Sequence, residues 1–288
     1  MEYFIHLAIL IGIYVPLALS LNLVVGYTGL LSVTHAAFYG IGAYAVAILM
    51  TVYHWPFLLA ILVGIIIAGL VALLLGLILS RFKDDYYALV SFGFNIIIYS
   101  IFLNWETLTR GPLGIPGIGR PTLFGLELSS NLSFLVLTLV GAGLVYLISL
   151  GITKSSFGRV LKGIREDEKA LSIFGYNTKL FKLTIFVITA GMAGLAGGLF
   201  ATYITFIDPS TFGLNESIFI LAIIILGGMA SLKGSVVGAI FLILLPEILR
   251  FVGFPTDVAA QMRQVVYGLL LVLLMLYRPQ GLVGEYKL

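Results

Sequence analysis

The chain has 288 residues, 60% hydrophobic and only 10% charged, with a mean hydropathy of +1.14. That is more apolar surface than a soluble core needs, and repeated apolar runs of about 20 residues match a hydrocarbon layer roughly 30 Å thick, so the chain reads as an integral membrane protein. The runs are continuous rather than alternating, which excludes a β-barrel; the lack of cysteine excludes disulfides and thiol chemistry, and the net charge of +3, carried mainly by loops, implies no nucleic acid.

Nine hydrophobic segments follow in chain order, at about 3–25, 35–53, 56–80, 86–104, 132–152, 180–204, 215–230, 235–252 and 260–277. They predict an all-α, polytopic transmembrane bundle of eight to nine spans. The first run has no basic stretch before it and no small-residue cleavage site, and is expected to be a span rather than a removed signal peptide. Pro16 and Pro246 fall within spans and predict kinks. Gly26 to Gly42, GYTGLLSVTHAAFYGIG, is polar and glycine-rich inside an apolar context, and so is Gly227 to Gly238, GGMASLKGSVVG. Broken or re-entrant helices at corresponding places in two halves suggest an inverted repeat around a transport path; plain turns with small-residue packing give the same pattern. Gly64, Ala68, Ala72 and Gly76 fall every fourth residue, and Ala190, Gly194 and Gly198 repeat the spacing. Such stripes let helix backbones approach closely in lipid.

The Lys and Arg residues sort onto two sides. Twelve (Arg81, Lys83, the seven of residues 154–182, Lys233, Arg278 and Lys287) fall on one, and Arg110, Arg120, Arg250 and Arg263 on the other. The richer side is expected to be cytosolic, with the C-terminus. Nine full crossings put the N-terminus outside; eight, with one segment re-entrant, put it inside. The non-cytosolic loop from Trp105 to Asn131 is rich in Gly and Pro, which rules out a long helix, and Asp208-Pro209-Ser210 makes a tighter turn on the same side. Arg110 and Arg120 stand where basic residues are disfavoured, which suggests a docking surface; an anchor at the lipid headgroups is the alternative.

The densest run of charge is Lys154 to Lys182, KSSFGRVLKGIREDEKALSIFGYNTKLFK. Phe157, Leu161, Ile164, Leu171 and Phe174 share one helical face. A short amphipathic helix between two spans is a docking device, here expected over Arg159–Phe174 and ended by Gly175.

Chemistry is sparse. No HExxH, GxSxG or Walker A motif is present, and His6, His35 and His54 are too scattered for a metal site. The chain reads as a non-enzyme, and any ATP must be used elsewhere. A charge at the bilayer centre costs about 2.5–3.5 kcal/mol, so the polar residues Asn22, His35, Asn95, Glu216, Glu247 and Arg250 stand out. Glu247 and Arg250 are i, i+3 neighbours suited to pairing. Glu216 suits the opening of its helix, and Asn22, His35 and Asn95 either bond helices together or line a path. The absence of a chain of buried carboxylates argues against a proton- or sodium-coupled pump.

The segments LNLVVGYTGLLSVTHAAFYGIGAY, DYYALVSFGF, NWETLTRGPLGIPGIGRP, GRVLKGIREDEKALSIFGYNTKLFK, YITFIDPSTFGLNESIFILAIIILGGMASLKGSVVGAIFLILLPEILR and YRPQGLVG, in this order, resemble the permeases of bacterial branched-chain amino acid ABC transporters, the LivH/LivM family, and within it the LivM-type subunit. Urea-transporter permeases look similar in the same motifs. The resemblance implies one permease domain over 1–288, with a coupling loop at about 153–179, in a bacterial or archaeal cell (inner) membrane. It also implies a second, LivH-like permease, two ATPase subunits that bind ATP and Mg, and an extracytoplasmic substrate-binding protein. No cofactor is expected on this chain. Arg159, Ile164, Arg165, Glu166, Asp167, Glu168, Ala170, Leu171 and Gly175 become the expected ATPase-coupling residues. Anchored on Gly175, the permease loop signature of Glu-Ala-Ala, three residues and Gly falls on Lys169, Ala170 and Leu171, so only Ala170 and Gly175 match it. Asn22, His35 and Asn95 are the candidates for the path, and Arg110, Arg120 and Asp208 for binding-protein docking. An autonomous carrier or an intramembrane enzyme is the contrasting class.

Overall fold

The computed structural model describes residues 2–82, 84–123 and 126–251, and residues 265–284 in part. The described chain is helical: α1 (Glu2–Thr28), α2 (His35–Thr51), α3 (Phe57–Leu79), α4 (Asp84–Asn104), α5 (Glu106–Thr109), α6 (Asn131–Lys154), α7 (Ser156–Ile173), α8 (Thr178–Ile204), α9 (Leu214–Gly227) and α10 (Leu232–Phe251). The ninth apolar segment lies largely outside the described residues, as do Lys83, Arg263, Arg278, Lys287 and the side chain of Arg250, and with it the expected pair with Glu247.

Five helices, α1, α3, α4, α6 and α8, are long and apolar enough to cross a membrane. α2 and α9 are shorter, at 17 and 14 residues. At 1.5 Å per residue they rise only about 25 and 21 Å. α9 and α10 are bent by 119° across a short break, so they run back past each other rather than continuing one span. The two glycine-rich segments expected to interrupt helices do so, at 29–34 and at 228–231.

Small residues set the packing at the centre. α2, α3 and α8 pack against one another. A Cβ on Gly42 would fall 2.2 Å from the carbonyl oxygen of Gly194, and one on Gly197 would fall 2.0 Å from that of Tyr39. The α3 stripe faces the same junction, where Gly64, Ala68, Ala72 and Gly76 are all buried. Backbones this close gain dispersion contacts that longer side chains would prevent, which is how helices associate where lipid offers no hydrophobic driving force.

α6 spans the bundle from one end to the other, which separates the Trp105–Asn131 loop from α7. α1 begins at the loop end, where His6 Nδ1 lies 2.6 Å from the Tyr203 hydroxyl near the end of α8. It finishes at the α7 end, against the side chain of Arg165. The tail returns to that end: the amides of Leu282 and Val283 donate to the carbonyls of Leu226 (2.8 Å) and Gly227 (2.9 Å). The N-terminal residues therefore lie at the opposite end from α7 and from residues 282–283.

Candidate functional site

The first element of the site is the pair of helix breaks. α1 ends at Gly29, whose φ of +74° suits a glycine just past a helix. Residues 29–34 then climb back along α1 until His35 Nε2 comes within 2.8 Å of Ser20 Oγ. The second break is joined to the first by one fully buried side chain. Asn22 Oδ1 accepts from the amide of Ala230 (2.9 Å), and Nδ2 donates to the Ser231 carbonyl (2.9 Å) and to Ser235 Oγ (2.6 Å). In a membrane, non-helical backbone persists only where protein or a lined cavity satisfies its polar groups. Asn22 does this for α9–α10 on one side, and the tail amides do it on the other. Of the two roles expected for Asn22, the geometry supports the bond between helices.

Above this joint runs a buried set of hydroxyls that sequence reasoning missed. Ser217 Oγ accepts from the amide of Ala36 (3.0 Å) and from Asn95 Nδ2 (3.0 Å), tying together α2, α9 and α4. Ser91 Oγ accepts from the amide of Val33 (3.1 Å), and Ser32 and Thr34 share a bond of 2.9 Å. Single serines in apolar runs give no periodic signal, and only the fold gathers them. His35 Nδ1 and Asn95 Oδ1 are buried with no hydrogen-bond partner among the described residues. Such atoms are costly unless something polar meets them, so of the three path candidates His35 and Asn95 keep capacity to bind. Glu216 is in the first turn of α9 and accepts from the Tyr14 hydroxyl at 2.7 Å.

The second element is α7. Ser155 caps its start, accepting from the amide of Gly158 at 3.3 Å. Its end is at Gly175, φ +88°: Tyr176 N–H donates to Leu171 O (3.2 Å) and Gly175 N–H to Ser172 O (3.1 Å), a Schellman closure. Inside, the helix is broken at Asp167 (φ −155°, ψ 96°), whose carboxylate accepts from the amide of Ala170 at 3.0 Å and so caps a second short helix.

This geometry redistributes the expected coupling residues. Ile164 and Leu161 are not offered for docking; they are 5% and 0% exposed, buried where α7 packs on α1 and α8. Glu168 is not a free rim charge: it pairs with Lys182 at 2.7 Å, and Thr178 Oγ1 donates to it at 2.9 Å. Arg165 turns inward and donates to the carbonyl of Gly26. Leu171 and Ala170 are half-buried, while Arg159, Glu166, Asp167 and Lys169 are exposed. Two large apolar side chains also stand out, Ile173 and Phe174, 84% and 79% exposed beside Gly175. Helical periodicity put Phe174 on the same face as Ile164, but the break at Asp167 resets the register between them.

At the opposite end, the long loop and the Asp208 turn form one unit. Strand Ile115–Pro116 pairs antiparallel with Phe206–Ile207, and the amide of Ile118 donates to Thr205 O at 3.1 Å. Arg120 is engaged within the loop, donating to Ser129 O (2.6 Å) and Asn131 Oδ1 (3.0 Å). Asp208 caps its own turn, accepting from the amide of Ser210 at 2.7 Å. Both are thus occupied in holding the loop; Arg110 is exposed, close to Leu113 at 82% exposure.

A family model described as the permease component of branched-chain amino acid transport systems matches residues 3–275. The high-affinity branched-chain amino acid transport system permease protein LivM of Escherichia coli is 37% identical over 302 aligned residues, which cover 97% of this chain and 69% of that protein. The LivM protein of Salmonella typhimurium is 35% identical with the same coverage. LivH of Salmonella typhimurium is 28% identical over 94% of this chain and 91% of its own length. No solved structure matches the chain. A many-spanned helical bundle with two joined helix breaks, matched almost from end to end by this model and these relatives, belongs to the family of branched-chain amino acid transport system permease components.

Proposed function

We propose that this chain is the LivM-type permease subunit of an ATP-driven importer of branched-chain amino acids. It forms the path with a second, LivH-like permease. Two ATPase subunits, which bind ATP and Mg, dock on the cytosolic α7 end, and an extracytoplasmic binding protein delivers substrate to the loop end. The C-terminus then lies in the cytosol and the N-terminus outside. The observation that carries this reading is Ile173–Phe174, two large apolar side chains displayed at the tip of α7 among exposed charges. Apolar anchors ringed by polar groups are the usual centre of a protein interface. The path needs few polar groups, because branched-chain side chains are apolar and tight binding would hinder release. His35 and Asn95 are the candidates to meet the substrate's polar end.

The test is to purify the intact assembly, identify its partner chains, and repeat with I173D/F174D. ATPase subunits are expected with the parent chain. The double variant is expected to insert normally, to release the ATPases and to lose uptake. Normal uptake by that variant would refute the docking role.

A further inference from the structure

The last two turns of α1 are gripped from both sides. From α7, Arg165 donates to the carbonyl of Gly26, and Lys162 Nζ sits 5.7 Å from the centre of the Tyr27 ring. Cations suit this end of a helix, where carbonyls are unpaired and the dipole is negative. One turn back on α1, Asn22 holds the α9–α10 break by three hydrogen bonds. Gly26 serves both grips. It offers its carbonyl to Arg165, and a Cβ there would fall 1.8 Å from Asn22 Oδ1 and 2.5 Å from the amide of Ala230. Ala230 is itself held at φ +58°, a left-handed conformation that a non-glycine residue keeps only when its surroundings impose it.

We infer that residues 22–29 are a rigid link through which α7 sets the geometry of the α9–α10 break, with Arg165 and Asn22 as positioning residues at its two ends. Gly26 and Asn22 are i, i+4 neighbours on one helix, so their separation is fixed, and a displacement imposed at the Gly26 carbonyl is delivered at Asn22. The break can respond because part of its polar backbone is satisfied from other elements: Asn22 takes the Ala230 amide, and the tail amides take Leu226 O and Gly227 O, while Gly228 N–H still donates to Ile224 O within α9. The link's part in transport rests on the proposed coupling role of α7; the mechanical connection does not.

Amide hydrogen exchange of the peptide covering residues 228–235, measured on the purified assembly in lipid nanodiscs, tests the connection directly. Loss of the Arg165 bond to the Gly26 carbonyl in R165Q is expected to raise its exchange about tenfold, the order expected on loss of a charge-assisted hydrogen bond. R165K keeps a donor and should give a smaller rise. N22A should raise exchange at least as far, and R165Q/N22A no further than N22A, because both act on one link. Wild-type exchange in R165Q while N22A rises, or a double variant whose increase is the product of the two, would overturn the inference. Raised exchange in R165Q supports the link, and if uptake stayed normal the fault would lie with the coupling role of α7.

Discussion

Replacing Gly197 with Ala adds one methyl group at the tightest crossing of α2 and α8. It would sit 2.0 Å from the Tyr39 carbonyl oxygen and 2.7 Å from the Ala43 amide nitrogen, where ordinary contact begins at 3.4 Å. Both obstacles are backbone, so no rotamer change relieves them, and the helices must part by about 1.4 Å, the difference between 2.0 and 3.4 Å. The separation also strains the neighbouring contact of Gly42 with Gly194, 2.2 Å by the same measure. Overpacking of this kind costs roughly 1–3 kcal/mol, and a rigid neighbour puts it near the upper end. At about 2–4 °C per kcal/mol for a chain of this size class, the apparent Tm should fall by about 6–12 °C. The control is Gly143 on α6, where a Cβ meets nothing within 4 Å; G143A should be neutral or gain up to about 1 kcal/mol. Thermal unfolding of the two variants in one detergent decides the matter. Equal Tm values would refute the close-packed α2–α8 crossing.

K182M removes the partner of Glu168, a pair 2.7 Å long in which Lys182 is 6% and Glu168 29% exposed. A loss of about 2 kcal/mol is expected, below the roughly 3–5 of a fully buried pair because Glu168 keeps water and the Thr178 bond, and limited proteolysis of residues 154–182 should show it. R120A deletes two loop bonds and should cost about 1–2 kcal/mol, seen as faster amide exchange at the start of α6. R110E reverses the charge of an exposed side chain. It should raise the half-saturating concentration of binding protein at low ionic strength and little at high, since steering by exposed charge is screened; a salt-independent effect would count against steering.

Much of this architecture was legible because lipid allows few solutions. Apolar runs of about the right length must be helices, and the two glycine-rich segments marked both breaks. Gly175 announced the end of α7 because a left-handed position there demands it. The site was less legible. Asp167 interrupts α7, so helical periodicity across it joined Ile164, which packs inward, to Phe174, which faces out. Arg120 and Asp208 look alike as free charges in a loop, yet their geometry binds them to nearby backbone. The joint made by Asn22 links residues more than 200 positions apart, a contact no local pattern encodes. The serines around Asn95 become a set only once α2, α4 and α9 meet.

The central claim is that transport through this chain is driven by ATPases docked on α7. Uptake of radiolabelled leucine into proteoliposomes, with this chain alone and with its co-purified permease, ATPases and binding protein, tests it most directly. The account predicts accumulation only for the full assembly supplied with ATP and Mg, and none for the chain alone under any ion gradient. Accumulation by the chain alone would contradict it and make the protein an autonomous carrier.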